Sequence, residues 1–225
     1  MSITLDGSNG ITTPMYNGTV SANQVTPSVN MKNRIINGAM VIDQRNAGAS
    51  TTPSTTSQSV FLLDRWAYFG SQASKFTVQQ NAGSVTPPVG FSNYLGATSS
   101  SAYSVAAGDI FCEIQRIEGF NIADLAWGTA NAKSVTISFW VKSSLTGTFG
   151  FGLMNTNSRA YASSYTINSA NTWEQKTITI TGDTSGTWAT DNTTGMIATW
   201  DLGSGSNRNG TASTWNAGNY WRTSG

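Results

Sequence analysis

The side chains of this chain that could do chemistry are few, and the missing type decides more than those present. Its 225 residues include no His, one Cys, 11 acidic and 12 basic side chains. Without imidazole, Ser-His-Asp and Cys-His triads cannot be built, nor can the common His-containing zinc sites. A general base would have to be a carboxylate or a lysine. The Asp and Glu residues stand singly, so a glycosidase-type carboxylate pair could arise only by folding. Cys112 lies in the alternating stretch Asp109 to Arg116 and has no partner for an intrachain disulfide. With nothing basic and titratable beside it in sequence, it reads as a buried structural thiol. No D-x-D-x-D-G loop occurs, and Asp191 and Asp201 would share a calcium ion only if the fold joined them. The residues therefore predict no catalytic group, no metal and no cofactor.

What such side chains can do is bind. Sugar recognition needs flat aromatic faces with amides or carboxylates nearby. Trp188, Trp200, Trp215, Tyr220 and Trp221 lie in or beside late polar stretches, and Asn192, Asp201, Arg208, Asn207 and Asn216 can supply hydrogen bonds there. The competing reading of each aromatic is packing, in the core or between subunits. Asp64-Arg65-Trp66 reads as structural. On a strand Asp64 and Trp66 share one side and Arg65 the other, which places Trp66 in a core and Asp64 or Arg65 in an ion pair or on a loop backbone.

Short strands must position these groups. In Ser134–Lys142, Val135, Ile137, Phe139 and Val141 share one face while Ser134, Thr136, Ser138, Trp140 and Lys142 share the other, which predicts a strand with one buried side. Further strands are expected at 75–80, 109–115, 148–154, 160–167, 174–181 and 195–202, separated by turn signals such as Asn81-Ala-Gly and Gly203-Ser-Gly-Ser. Residues 121–127 are the one helical candidate, with Asn121 as its cap. Long polar connections are expected at 46–59, 96–101, 183–194 and 203–219. Many short strands with almost no helix predict an all-β fold, a sandwich or barrel.

Residues 1–32 differ. They hold few aromatics, are punctuated by Pro14 and Pro27, and offer only short β-like pieces at Ile3–Leu5 and Gly18–Val20. Such a segment has too few large apolar groups to offset its chain entropy, about 1–2 kcal/mol per residue. It is expected to be an extended arm ordered by a partner, with Ile3, Leu5, Ile11, Met15 and Tyr16 as its anchors. The alternative is a floppy tail.

Net charge is +1 and scattered, which gives no basic face for nucleic acid. No run approaches the roughly 18 apolar residues that cross a bilayer, so no membrane partner is expected. The Ser/Thr/Asn/Gly-rich, Trp-rich palette, with eight Trp, suits a protein working outside cells, yet Met1–Tyr16 has neither the basic start nor the apolar core of a secretory signal. Assembly into a virus particle, made in the host cytoplasm and released by lysis, reconciles the two.

Asn33-Arg-Ile-Ile-Asn-Gly-Ala-Met-Val-Ile-Asp-Gln-Arg-Asn-Ala-Gly, followed by Leu63-Asp-Arg-Trp, resembles a module of bacteriophage tail-fibre and other virion structural proteins. In that module an opening strand is followed by a second one ending in the D-R-W motif. Ser134–Lys142 and Asn171–Ile180 are similar to its later strands, and the likeness covers residues 33 to about 182. The module looks related to jelly-roll carbohydrate-binding modules, and Ile3–Pro14 resembles the N-termini by which such phage proteins attach to the particle. The resemblance implies a jelly-roll β-sandwich over 33–225 behind an attachment arm over 1–32. It also implies a homotrimer, because fibre-like parts use threefold symmetry. The module's usual closing strand has no counterpart before Trp221-Arg-Thr-Ser-Gly. The expectation is that the chain is a fragment or that the open edge is paired by a neighbour or by the arm. Three functions follow as expectations: a tail-fibre-like, surface-fibre or head-decoration part of a virion bound to its other proteins, a host-recognition module for surface glycans, and a polysaccharide hydrolase.

Overall fold

Period-two alternation builds most of the chain. The computed structural model describes Thr4–Asp6, Gly10–Thr12 and residues 32–54 and 58–224. The fold is all-β with antiparallel sheets. The chain divides into two units, Met1–Asn33 and Arg34–Gly225. In the first, β1 (Thr4–Asp6) pairs antiparallel with β2 (Gly10–Thr12), setting Leu5 opposite Ile11. Ile3, Met15, Tyr16 and the side chains of Leu5 and Ile11, the expected anchors, lie outside the described residues, as does Gly18–Val20.

The second unit carries β3 (Gln58–Leu63), β4 (Trp66–Gly70), β5 (Phe76–Gln80), β6 (Leu95–Ser99), β7 (Phe111–Glu118), β8 (Val135–Val141), β9 (Gly147–Met154), β10 (Arg159–Ile167), β11 (Glu174–Ile180), β12 (Thr194–Asp201) and β13 (Trp215–Ala217). Seven of these form one sheet in the order β13-β10-β9-β12-β7-β4-β3, while β5–β6 and β8–β11 form two separate ribbons. The layers are thus unequal, a broad sheet against a split cover.

Register fixes which residues share a face. Tyr68, Glu113, Trp200, Phe151 and Ser163 stand in one row across β4, β7, β12, β9 and β10. Trp66, Gln115, Ala198, Leu153, Tyr161 and Trp215 form the next row on the same face. Both ribbons cover this inner face. Val135, Ile137, Phe139 and Val141 of β8 are half-buried against Phe151, Tyr165, Ile167 and Ile180, as their alternation predicts. Phe76, Leu95 and Ala97, with buried Val78, pack with Leu62, Tyr68 and Phe111. The ribbons meet where the rings of Tyr94 and Trp173 lie 5.6 Å apart and the Trp173 indole N–H donates to the Thr86 carbonyl at 2.8 Å.

The outer face is apolar as well, with Ala67, Cys112, Ile114, Met154 and Ala160 enclosing the buried Trp221. The C-terminal segment therefore straps the sheet. Two glycines of β9 permit this close approach. A Cβ on Gly152 would sit 2.5 Å from the Trp221 Cα, and one on Gly150 would sit 2.6 Å from the Arg222 Cβ.

Four expectations are corrected. Residues 33–48 form successive turns and not an opening strand. Polar side chains hold these turns, and Asn37 lies in the left-handed region at φ 54°. Residues 96–99, expected as part of a polar connection from 96 to 101, belong to strand β6, because pairing with β5 overrides their weak propensity. The helical candidate resolves into two 3₁₀ turns, Gly119–Asn121 and Ala123–Leu125, and the Asn121 amide bonds Glu118 instead of capping. The polar stretch 203–219 also supplies β13, which pairs with the edge of β10.

The turn segment is locked to the strands behind it. Asn37 Nδ2 donates to the carbonyls of Ile42 and Asp64 at 2.8 and 3.0 Å, and Ile42 N–H donates back to Asn37 Oδ1. The Trp66 indole donates to the Asn37 carbonyl, and Gln44 N–H donates to Asp64 Oδ2. Gln115, wholly buried, brackets the Ile36 backbone, accepting at 2.8 Å and donating at 2.9 Å. Arg65, in the β3–β4 turn at φ 76°, pairs with Glu118 at 2.7 Å. Asp64 and Arg65 thus fill both roles set out for them, one on a loop backbone and the other in an ion pair. Asn37→Ala should lower stability by about 3 kcal/mol in denaturant titration, at roughly 1 kcal/mol for each of its three side-chain hydrogen bonds. Asn37→Gly, which keeps the backbone freedom, should recover only a small part.

Candidate functional site

The aromatic and polar residues singled out for binding fall in separate places. Trp188 and Trp215 join Trp127 in a mutually edge-on cluster with ring centroids 4.7–5.3 Å apart. Their indole N–H groups donate to the backbone carbonyls of Ser185 and Thr181. Rings this close leave no room for a ligand between them, so they pack. Trp200 faces the inner layer against Trp66, Phe139 and Phe151. Trp221, Asp201, Arg208 and Tyr220 gather at the outer face. There the Trp221 indole donates to Asp201 Oδ1 at 3.0 Å, and the Arg208 guanidinium lies 5.1 Å over its ring. Asn192 is exposed in the loop before β12.

A concavity opens where β12 and β9 separate beyond the Trp200–Phe151 pair. Its volume is about 220 Å³, below the roughly 300–1,000 Å³ of drug-sized sites. Phe149 and Leu202 make its apolar wall, and Thr148, Asp201, Arg222 and Thr223 its polar one. Asp201 is held in place by the N–H groups of Ser204 and Gly203 and by the Trp221 indole. Arg222 NH1 bonds the Ser204 carbonyl and lies 3.6 Å from Asp201. The charges nearly balance, so this pocket suits one small neutral ring bearing hydroxyls, with Phe149 as its stacking face. Of its polar walls, sequence alone picks out only Asp201. Thr148, Phe149 and Arg222 carry no local signal, since they meet only through strand divergence and the C-terminal strap.

The second unusual place is the inner row. Glu113 stands between Tyr68 and Trp200, and burial raises its carboxyl to about 7. Its Oε1 is sealed from solvent without a hydrogen-bond partner, and so is the Tyr68 hydroxyl. Burial, with nearby Cys112 and Glu113, also pushes the Tyr68 phenol up. The sequence did hold a signal for Glu113: in β7 it alternates with Phe111, Gln115 and Ile117 and so belongs to the apolar side.

Other ionisable groups are accounted for by structure. Asp109 accepts from the Ser71 hydroxyl, the Gln72 amide, the Ala106 N–H and the Tyr103 hydroxyl, bonds that lower it to about 2. Lys176 and the N–H groups of Ser169 and Asn168 lower Glu174 to about 2. Arg159 forms a bidentate pair with the buried Asp183 at 2.6 and 2.8 Å. Cys112 is buried, and loss of solvent pushes its thiol up. Among the described residues no three His, Cys, Asp or Glu side chains gather as a metal site would need, and no helix is long and apolar enough to cross a membrane. No protein family, curated protein or solved structure matches the chain.

Proposed function

We propose that this chain is a structural component of a bacteriophage particle, tail-fibre-like or another surface fibre, whose N-terminal segment attaches it and whose β-sandwich is displayed as a homotrimer. The observation that carries this reading is the mutual bonding of the residues behind the resemblance. Asn37, Gln44, Asp64 and Trp66 are scattered over two motifs, yet they hydrogen-bond to one another or through one shared turn. A pattern whose members depend on each other physically is a stronger pointer than composition alone. The division of the chain at Asn33/Arg34 fits a separate attachment segment. The test is particle incorporation of a variant lacking residues 2–30. Incorporation should be lost while the sandwich still folds, and wild-type incorporation would refute attachment through this segment.

A hydrolase is the less favoured reading. Glu113, the carboxyl poised near neutrality, faces the inner side of the sheet, whereas Asp201, one residue beyond its β12 partner Trp200, faces the outer side. The sheet stands between them, so they do not form the facing pair that glycoside hydrolysis uses. The β9/β12 pocket favours a second role, recognition of a host surface glycan through a single sugar residue. A glycan array with the intact sandwich tests it, and Phe149→Ala should abolish any signal obtained.

A further inference from the structure

The cover over the inner face is split, and at the split stands a half-buried acid, one of whose carboxyl oxygens is sealed from solvent without a partner. In the row Tyr68–Glu113–Trp200, the Tyr68 ring is covered from one side by Phe76 of β5, with centroids 5.9 Å apart. The Trp200 ring is covered from the other side by Phe139 of β8, at 5.8 Å. Glu113 stands between these two contacts in the row. Among the described residues the β5–β6 and β8–β11 ribbons share no backbone ladder. Their join at Tyr94, Trp173 and Thr86 is a ring contact and one hydrogen bond.

We propose that Glu113 is a proton-operated latch for this seam: protonated, it lets the two ribbons close over the sheet, and ionised, it draws water between them and loosens β5–β6. The physical cause is the absence of compensation around the carboxylate. A charge taken even partly out of water is tolerated when paired or hydrogen-bonded, and otherwise it neutralises or is hydrated, and the sealed Oε1 of half-buried Glu113 has neither kind of partner. From β4 the neighbour is the Tyr68 phenol, and from β10 the Tyr165 phenol; both are driven further toward neutrality by Glu113. On its own strand the neighbour is the Cys112 thiol, and on β12 Asp201 adds further negative field around the same groups. The inward residues of β5, β6 and β8 that pack on the sheet are apolar. On β11, Lys176 is committed to Glu174 at 2.5 Å. Arg116 and Arg208 act on the Cys112 thiol at the outer face, but the only influence resolved on the Glu113 carboxyl is loss of solvent, so among the described residues no cation answers its charge.

The direction of the effect follows. Closure raises the carboxyl from its ordinary 4.5 to about 7, so the closed seam binds the proton more tightly than the open one. Closure is therefore most favourable below pH 4.5, weakens as pH rises from 4.5 to 7, and is constant above that. This latch goes beyond the virion reading and does not depend on it.

The experiment is hydrogen exchange on the full chain at pH 5.5 and 8.5, corrected for intrinsic exchange, comparing wild type with the near-isosteric Glu113→Gln. Protection of Phe76–Gln80 and Leu95–Ser99 should fall roughly thirtyfold in wild type, because a carboxyl moved from 4.5 to about 7 holds its proton about 300 times more tightly in the closed seam, of which about tenfold is already lost at pH 5.5. It should stay level in the variant, and the amides of β9 and β10 should stay level in both. The same loss in Glu113→Gln, or none in wild type, would overturn the latch. A carbon NMR titration of wild-type Glu113 gives a check that needs no variant: a midpoint near 7 supports the proposal, and one near 4.5 overturns it.

Discussion

Replacing Phe151 by alanine should lower the unfolding free energy by about 3–5 kcal/mol, toward the upper end of that range. Its ring is wholly buried at the centre of the inner row, between Trp200 on β12 and Ser163 on β10. The Trp200 and Phe139 rings lie 5.0 and 6.0 Å from it, one from its own sheet and one from the β8–β11 ribbon, so the cavity would open between the layers. Collapse is restricted there, because Trp200 is held by Trp66 and Phe139 by Tyr165. Phe139→Ala should cost about 3 kcal/mol, since that ring is only half-buried and its site can partly fill with solvent. Chemical denaturation with an unchanged m-value is the measurement. A loss under about 1 kcal/mol for Phe151 would mean that the ribbon does not pack on the sheet as described.

Strands with a strong one-sided pattern were legible because a single register makes every alternate residue apolar. The β8 positions Val135, Ile137, Phe139 and Val141 show this plainly, and all face the core. Segments whose structure is set by distant partners were not. Leu95–Ser99 is polar enough to read as a loop, yet the ladder to β5 makes it a strand. Residues 33–48 alternate weakly and could pass for a strand, but Asn37, Asp43 and Asp64 accept or donate the hydrogen bonds that a sheet would otherwise take, and turns result. Position in a polar stretch is what marks the binding candidates in the sequence. That criterion does not separate an aromatic that ends in a loop from one that a loop folds over. Trp188 and Trp221 are of the second kind, both buried. Glu113 was legible in principle, as an acid in phase with apolar neighbours. The β9/β12 pocket was not, because Arg222 reaches it only through the path of the C-terminal strap.

That strap depends on Asp201, and Asp201→Ala should destabilise the sandwich by about 3 kcal/mol, the scale for removing one side of a buried charged network. The carboxylate is 5% exposed and accepts from the Ser204 N–H at 3.0 Å, the Gly203 N–H at 3.2 Å and the Trp221 indole at 3.0 Å, with Arg222 NH1 3.6 Å away. Alanine would leave these donors under the strap with an apolar neighbour. Ser204 Oγ, 3.2 Å from the Trp221 indole, offers it a second acceptor and limits the loss. Asp201→Asn keeps one carbonyl oxygen and should cost about 1 kcal/mol, mainly through the weaker hold on Arg222. Limited proteolysis should then cut the segment after Arg208 sooner in the alanine variant than in the asparagine variant, because Trp221 would leave the outer face more often. The same pair of substitutions separates the two roles that Asp201 can have. If its carboxylate also contacts a sugar in the β9/β12 pocket, Asp201→Asn will lose glycan binding while holding nearly wild-type stability. If Asp201 only anchors the strap, the asparagine variant will keep both, and the alanine variant will lose stability whether or not a glycan is present.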